Sequence, residues 1–76
     1  MALRRGQVSE EQLMLLIELT KIRSTVLIKA LRIHLVEGKS QRLATEAVGI
    51  NQSFLSVRLR KLRDVDSKVL KLRKFY

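Results

Sequence analysis

The chain is 76 residues long, enough for one domain whose core is marginal without help from a second copy. It has no cysteine and a single histidine, His34, which excludes a disulfide framework or a thiolate metal site and leaves little material for an enzyme. Sixteen Lys and Arg against seven Asp and Glu, a net of +9, point to an anionic partner, nucleic acid before a membrane surface.

The charge is uneven. Residues 1–38 carry a net of +2 and residues 39–76 a net of +7, so the second half is the expected docking side. Residues 1–7 make a bare start. Arg4 and Arg5 imitate the head of a signal peptide, but Glu10 and Glu11 follow before any apolar run. The longest apolar runs, at 13–17 and 26–28, fall far short of the roughly 18 residues that a spanning helix needs. A cytoplasmic protein with no membrane partner is expected.

Ser9 stands three residues before Gln12, the spacing of a capping box, with Glu10 and Glu11 in the first turn. Leu13, Leu16, Ile17 and Thr20 then form one face of a first helix. Ser24 caps a second, which runs through Val26, Leu27, Ala30, Leu31, Leu35 and Val36 to a left-handed stop at Gly38. With Ile28 and Ile33 added, this helix is apolar around much of its circumference. Such a helix is either central to the fold or shared between chains, and in so small a domain both roles are expected. Ile33, Leu35 and Val36 are the candidate oligomer interface, and His34 is expected at the surface or in that interface.

Ser40 caps a third, short helix with Leu43, Ala44, Ala47 and Val48 on its apolar side. Gly49-Ile50-Asn51 turns the chain, and Asn51 caps a fourth helix whose Leu55, Leu59 and Leu62 follow the i, i+4, i+7 rule. The stretch from Val57 to Arg60 alternates like a strand, but the longer period decides for helix. Three capping residue types at 64–67 predict a reset there, and a fifth helix carrying Val69, Leu72 and Phe75 is expected to pack on the domain. Taken alone, that basic amphipathic end also fits a membrane surface or a calmodulin-like target. The fold class is all-α, a small bundle of about five helices in one domain.

Short helix, glycine-containing turn and longer helix is the plan of the helix-turn-helix, here over residues 41–63. Counting Gln41 as the first of twenty positions, Gly49 falls ninth, where the turn requires a positive φ. Ala44, Val48, Ile50 and Leu55 take the buried positions, and Thr45 the small one. Arg58 stands at the eighteenth, usually apolar, and Leu59 takes the buried role one residue later. On this plan Asn51, Gln52 and Ser53, then Ser56, Val57 and Arg60, face the DNA. Gln reads adenine, Arg reads guanine, and Ser and Asn reach bases or phosphates. Lys39, Gln41, Arg42, Arg58, Lys61 and Arg63 flank that face, its basic members neutralising phosphates. The plain alternative is a solvated basic face. No cofactor and no metal ligand set is expected.

The segments VSEEQLMLLIELTKIRS, IKALRIHLVEGKS, INQSFLSVRLRKL and the closing FY resemble the PapB family of adhesin-biosynthesis transcriptional regulators. The resemblance runs from about Val8 to Tyr76. It implies a helical bacterial regulator of fimbrial operons that binds AT-rich, repeated DNA sites as an oligomer, in the nucleoid. The family's "LVxG" segment followed by Ser corresponds to residues 35–40, and its turn and recognition helix to residues 50–56. Gln41 stands where members often have Arg, and Ser53-Phe54 where they often have Gly-Tyr. An AT-rich preference has a physical basis, since A·T runs narrow the minor groove and strengthen its pull on Arg and Lys. Two other readings remain. RLATEAVGINQSFLSVRLRKLR also resembles the last DNA-binding region of sigma factors, and the basic helices suit an adaptor on acidic proteins or membrane surfaces.

Overall fold

The computed structural model describes residues 3–76; of the bare start, Met1 and Ala2 lie outside the described residues. Four helices follow one another: α1 (Glu10–Thr20), α2 (Thr25–Leu35), α3 (Gln41–Val48) and α4 (Gln52–Leu72), closed by a 3₁₀ turn at Arg73–Phe75. No strand occurs among the described residues. Each helix starts where a short polar side chain can take up a backbone N–H that would otherwise lack a partner. The hydroxyl of Ser9 accepts from Gln12 N at 3.1 Å, that of Ser24 from Leu27 N at 3.2 Å, and that of Ser40 from Leu43 N at 3.1 Å. Asn51 Oδ1 accepts from Ser53 N at 2.7 Å. All four predicted caps are in place.

The core is built almost wholly of leucine. Leu13, Leu16 and Ile17 enter it from α1, Leu27, Ala30, Leu31 and Leu35 from α2, Ala44 from α3, and Leu55, Leu59 and Leu62 from α4. Each leucine so enclosed contributes about 1.5–3 kcal/mol of transfer free energy. Helix α2 touches the other three helices, which is why its circumference is so apolar. That central position also corrects two expectations. Leu35, expected at an oligomer interface, is completely enclosed within its own chain and has no surface to offer. His34, expected near the surface, is buried as well. Ile33 and Val36 are half-buried and pack against the core from outside.

The bundle has four helices, not about five. The capping residue types at 64–67 do not reset the chain, because nothing there removes a backbone hydrogen bond as proline would. Asp64 instead pairs with Lys68 at 3.2 Å, one turn on, and Asp66 continues the inward row of Leu55, Leu59 and Leu62. The expected packing of Val69, Leu72 and Phe75 on the domain is likewise not found, since all three are exposed. On α3, Leu43 and Ala47 point outward, while Ala44 and Thr45 are buried.

Residues 3–8 form a structural strap. Leu3 and Val8 are core residues, and between them Gly6 N donates to His34 O and Val8 N to Leu35 O, both at 3.2 Å. These bonds take up carbonyls that the last turn of α2 leaves free. Gly6 has φ +73° and lies so close to Gly38 that a Cβ there would sit 3.1 Å from the Gly38 Cα. Two glycines let strap and helix end touch.

Candidate nucleic-acid interface

Only residues 49–51 separate α3 from α4. Gly49 ends α3 in the left-handed region, φ +76°, and its N–H donates to Thr45 O at 2.8 Å. Thr45 is buried, and its hydroxyl donates back to the carbonyls of Gln41 (2.9 Å) and Arg42 (3.0 Å), leaving only its methyl to pack. Ala44 and Leu55 are fully buried, and Val48 and Ile50 pack half-buried against the core, as the twenty-residue spacing predicts. Leu59 is fully enclosed and Arg58 exposed, so the one departure from that spacing is also the one in the structure.

The candidate residues divide into three groups. Asn51, Gln52, Ser53, Val57, Arg60 and Lys61 are exposed along α4. Val57, Arg60 and Lys61 border one shallow depression together with Asp64, on the side away from the buried leucines. Lys39 and Arg42 are exposed at the start of α3. Arg42 is paired with Glu46 at 3.3 Å, and an ion pair so open to water holds its partner loosely.

A second group is turned inward. Ser56 Oγ donates to Gln41 Oε1 at 2.7 Å, joining the first residue of α3 to the second turn of α4. Both are half-buried, and the bond fixes how the two helices sit on each other. Arg63 is half-buried too, with its Nε directed at the Leu3 carbonyl at 3.5 Å, a long contact to the strap.

Arg58 stands apart. Its guanidinium lies 5.4 Å from the centroid of the Phe54 ring, and the two side chains border a small recess shared with Lys21 and Arg23. The link between α1 and α2 therefore brings two cations beside Arg58 that the charge skew along the chain does not reveal. Lys21 is held there by its left-handed backbone, φ 56°, at the end of α1. No local pattern marks this cluster, because its members are far apart in sequence.

His34 supports the same face from beneath. Its Nδ1 lies 2.7 Å from the Lys39 carbonyl, so the neutral ring donates from Nδ1 and steadies the residue that leads into α3. Burial lowers its pKa below the ordinary histidine value; the hydrogen bond to Lys39 opposes this, and Arg63 and Arg5 add to the lowering. No group of three or more metal-ligating side chains occurs among the described residues. The surface thus offers amide, hydroxyl and cationic donors on one rigid helix pair.

The sequence matches, over residues 1–76, the PapB family, described as adhesin biosynthesis transcription regulatory protein. The chain belongs to the PapB family. It is 37% identical over 67 residues to the Regulatory protein FanB of Escherichia coli, a match covering 88% of this chain and 68% of FanB. The crystal structure of Escherichia coli FocB superposes with a TM-score of 0.90 at 35% identity, covering 99% of this chain and 85% of FocB. The four-helix arrangement is therefore shared with a solved structure, and the PapB assignment makes this chain a transcription regulator. No helix among the described residues is long and apolar enough to cross a membrane.

Proposed function

We propose that this PapB-family chain binds double-stranded DNA at a bacterial fimbrial or adhesin operon, in the cytoplasm, using residues 41–63 as a helix-turn-helix. The reading rests on one observation. A polar and basic face on the first half of α4 directly follows a three-residue turn, and three enclosed leucines hold it rigid from behind. Gln52, Ser53, Val57 and Arg60 meet base edges, with Asn51 and Lys61 beside them. Lys39, Arg42 and Arg58 neutralise phosphates, while Gln41 and Ser56 set the angle of the helix pair and Arg63 holds the strap. The target is AT-rich and repeated, and the chain occupies it as an oligomer, in keeping with the adhesin-regulator family to which it belongs.

The test is binding to AT-rich and GC-rich duplexes of equal length across a salt series. Tight, salt-sensitive binding that favours the AT-rich duplex is expected. Replacing Arg42 and Arg58 with Ala should flatten the slope of log affinity against log salt by about 0.9 for each phosphate left without its cation. Equal, weak binding to both duplexes, or an unchanged slope in the double variant, rejects this placement of the DNA.

A further inference from the structure

One concavity lies away from the DNA-facing residues. It is a groove of about 540 Å³ between α1 and the C-terminal half of α4. Leu15, Leu16 and Leu19 form one wall, and Val69 and Leu70 the other. All but Leu16 are exposed, which in a monomer would leave a continuous apolar surface in water.

Two polar features say what the groove takes. Asp66 lines it while only 8% exposed, and it makes no hydrogen bond or ion pair among the described residues. A cation docking among the apolar residues of the α4 wall would meet the Asp66 carboxylate. Glu18 lines the groove as well, and α1 carries no basic residue. The occupant must therefore be apolar and cationic at once.

The chain itself contains such a segment. Beyond Asp66, α4 and the closing turn present Leu72 and Phe75 interleaved with Lys68, Lys71, Arg73 and Lys74, all exposed. The molecule is 41 Å long but only 21 by 20 Å across, an elongation in keeping with a 21-residue helix that outruns the bundle. We propose that the end of α4 in one chain docks in the α1–α4 groove of a second copy, and the reverse, closing a two-fold dimer. Phe75 and Leu72 fill the groove, and Lys71 or Lys74 neutralises Asp66 and Glu18. Because the exchange is reciprocal about a two-fold axis, both grooves and both plugs are used and the contact closes instead of propagating. This deepens the oligomeric part of the proposed function and rests on it, but not on where the DNA lies.

The test needs no DNA. Sedimentation equilibrium of the full chain should show a dimer, and Leu19→Glu or Phe75→Glu should each weaken it at least about tenfold, roughly 1.4 kcal/mol. Both positions are exposed in the single chain, so helicity should persist, which circular dichroism checks. Glu18→Lys and Lys74→Glu should each weaken the dimer, and the two together should restore it. The chain has no cysteine, so Leu19→Cys and Phe75→Cys chains, mixed, should cross-link to each other through a short bismaleimide. A chain that stays monomeric overturns the proposal, as does a dimer indifferent to these changes. Normal dimerisation without DNA affinity would strike the DNA reading alone.

Discussion

The two halves of α4 obey the same helical rules and meet opposite fates. Leu55, Leu59 and Leu62 are completely enclosed, whereas Val69, Leu72 and Phe75 are 43%, 51% and 71% exposed. Residue type and spacing do not separate them. What differs is the other side of the contact: the first three lie in the core shared by all four helices, whereas Val69 borders an open groove beside α1 and Leu72 and Phe75 remain exposed at the helix end. Apolar periodicity marks a surface that is to be buried, not the surface that buries it.

The largest expected effect breaks the well-packed half. Leu59→Ala should cost about 2–5 kcal/mol of unfolding free energy, through lower transfer energy and the cavity left behind. Leu72→Ala should change it by less than about 0.5 kcal/mol at concentrations where the chain is monomeric. Urea denaturation of both variants decides the matter. Similar losses in the two would mean that the end of α4 folds back onto its own bundle.

The same contrast explains how much of the molecule is legible in its sequence. Four helix starts are legible because Ser9, Ser24, Ser40 and Asn51 act through hydrogen bonds only two or three residues long. Gly49 is legible for the same reason, as a local demand for positive φ. The absence of a fifth helix is not, because Asp and Ser favour helix starts without excluding helix interiors, and Asp64 has Lys68 one turn away. The burial of Leu35 and His34 is hidden too, since the strap that covers them is distant in sequence and carries no helical period. Within the candidate site, proximity along the chain groups Arg58 with Arg60, yet it lies with Phe54, Lys21 and Arg23. Local signals survive folding; the assignment of neighbours does not follow from them.

A smaller effect sharpens the comparison at the other end of the chain. The strap of residues 3–8 has no regular structure, yet it is better buried at Leu3 and Val8 than the helical end of α4 is anywhere. Gly6→Ala should destabilise the chain by about 1–3 kcal/mol, since it combines a strained left-handed φ with a close approach to the Gly38 backbone. Gly49→Ala carries only the first penalty, because no atom lies within 4 Å of where its Cβ would be. Thermal melts should therefore rank Gly6→Ala below Gly49→Ala. The opposite order would mean that the strap is not docked in solution.

The gentlest effect is a slope against pH, and it belongs to the buried end of α2. Burial holds the His34 pKa below its ordinary value, with Arg63 and Arg5 adding to the lowering and the Lys39 carbonyl opposing it. Near neutral pH the ring is neutral in both folded and unfolded chains and contributes no pH dependence. As pH falls below about 6.5, the unfolded chain takes up the proton first and gains stability relative to the folded one. Folding stability should thus be fullest above about pH 6.5 and decline as pH falls through the lowered folded value. A comparison between about pH 7.5 and pH 5.5 spans the range in which an ordinary imidazole titrates. The urea midpoint should drop across that window in the native chain and stay level in His34→Gln. Gln can still donate to the Lys39 carbonyl, but it carries no titrating group. A midpoint that held steady in the native chain would mean that the proton enters without disturbing the residues leading into α3. A drop shared equally by the variant would assign the loss to groups elsewhere.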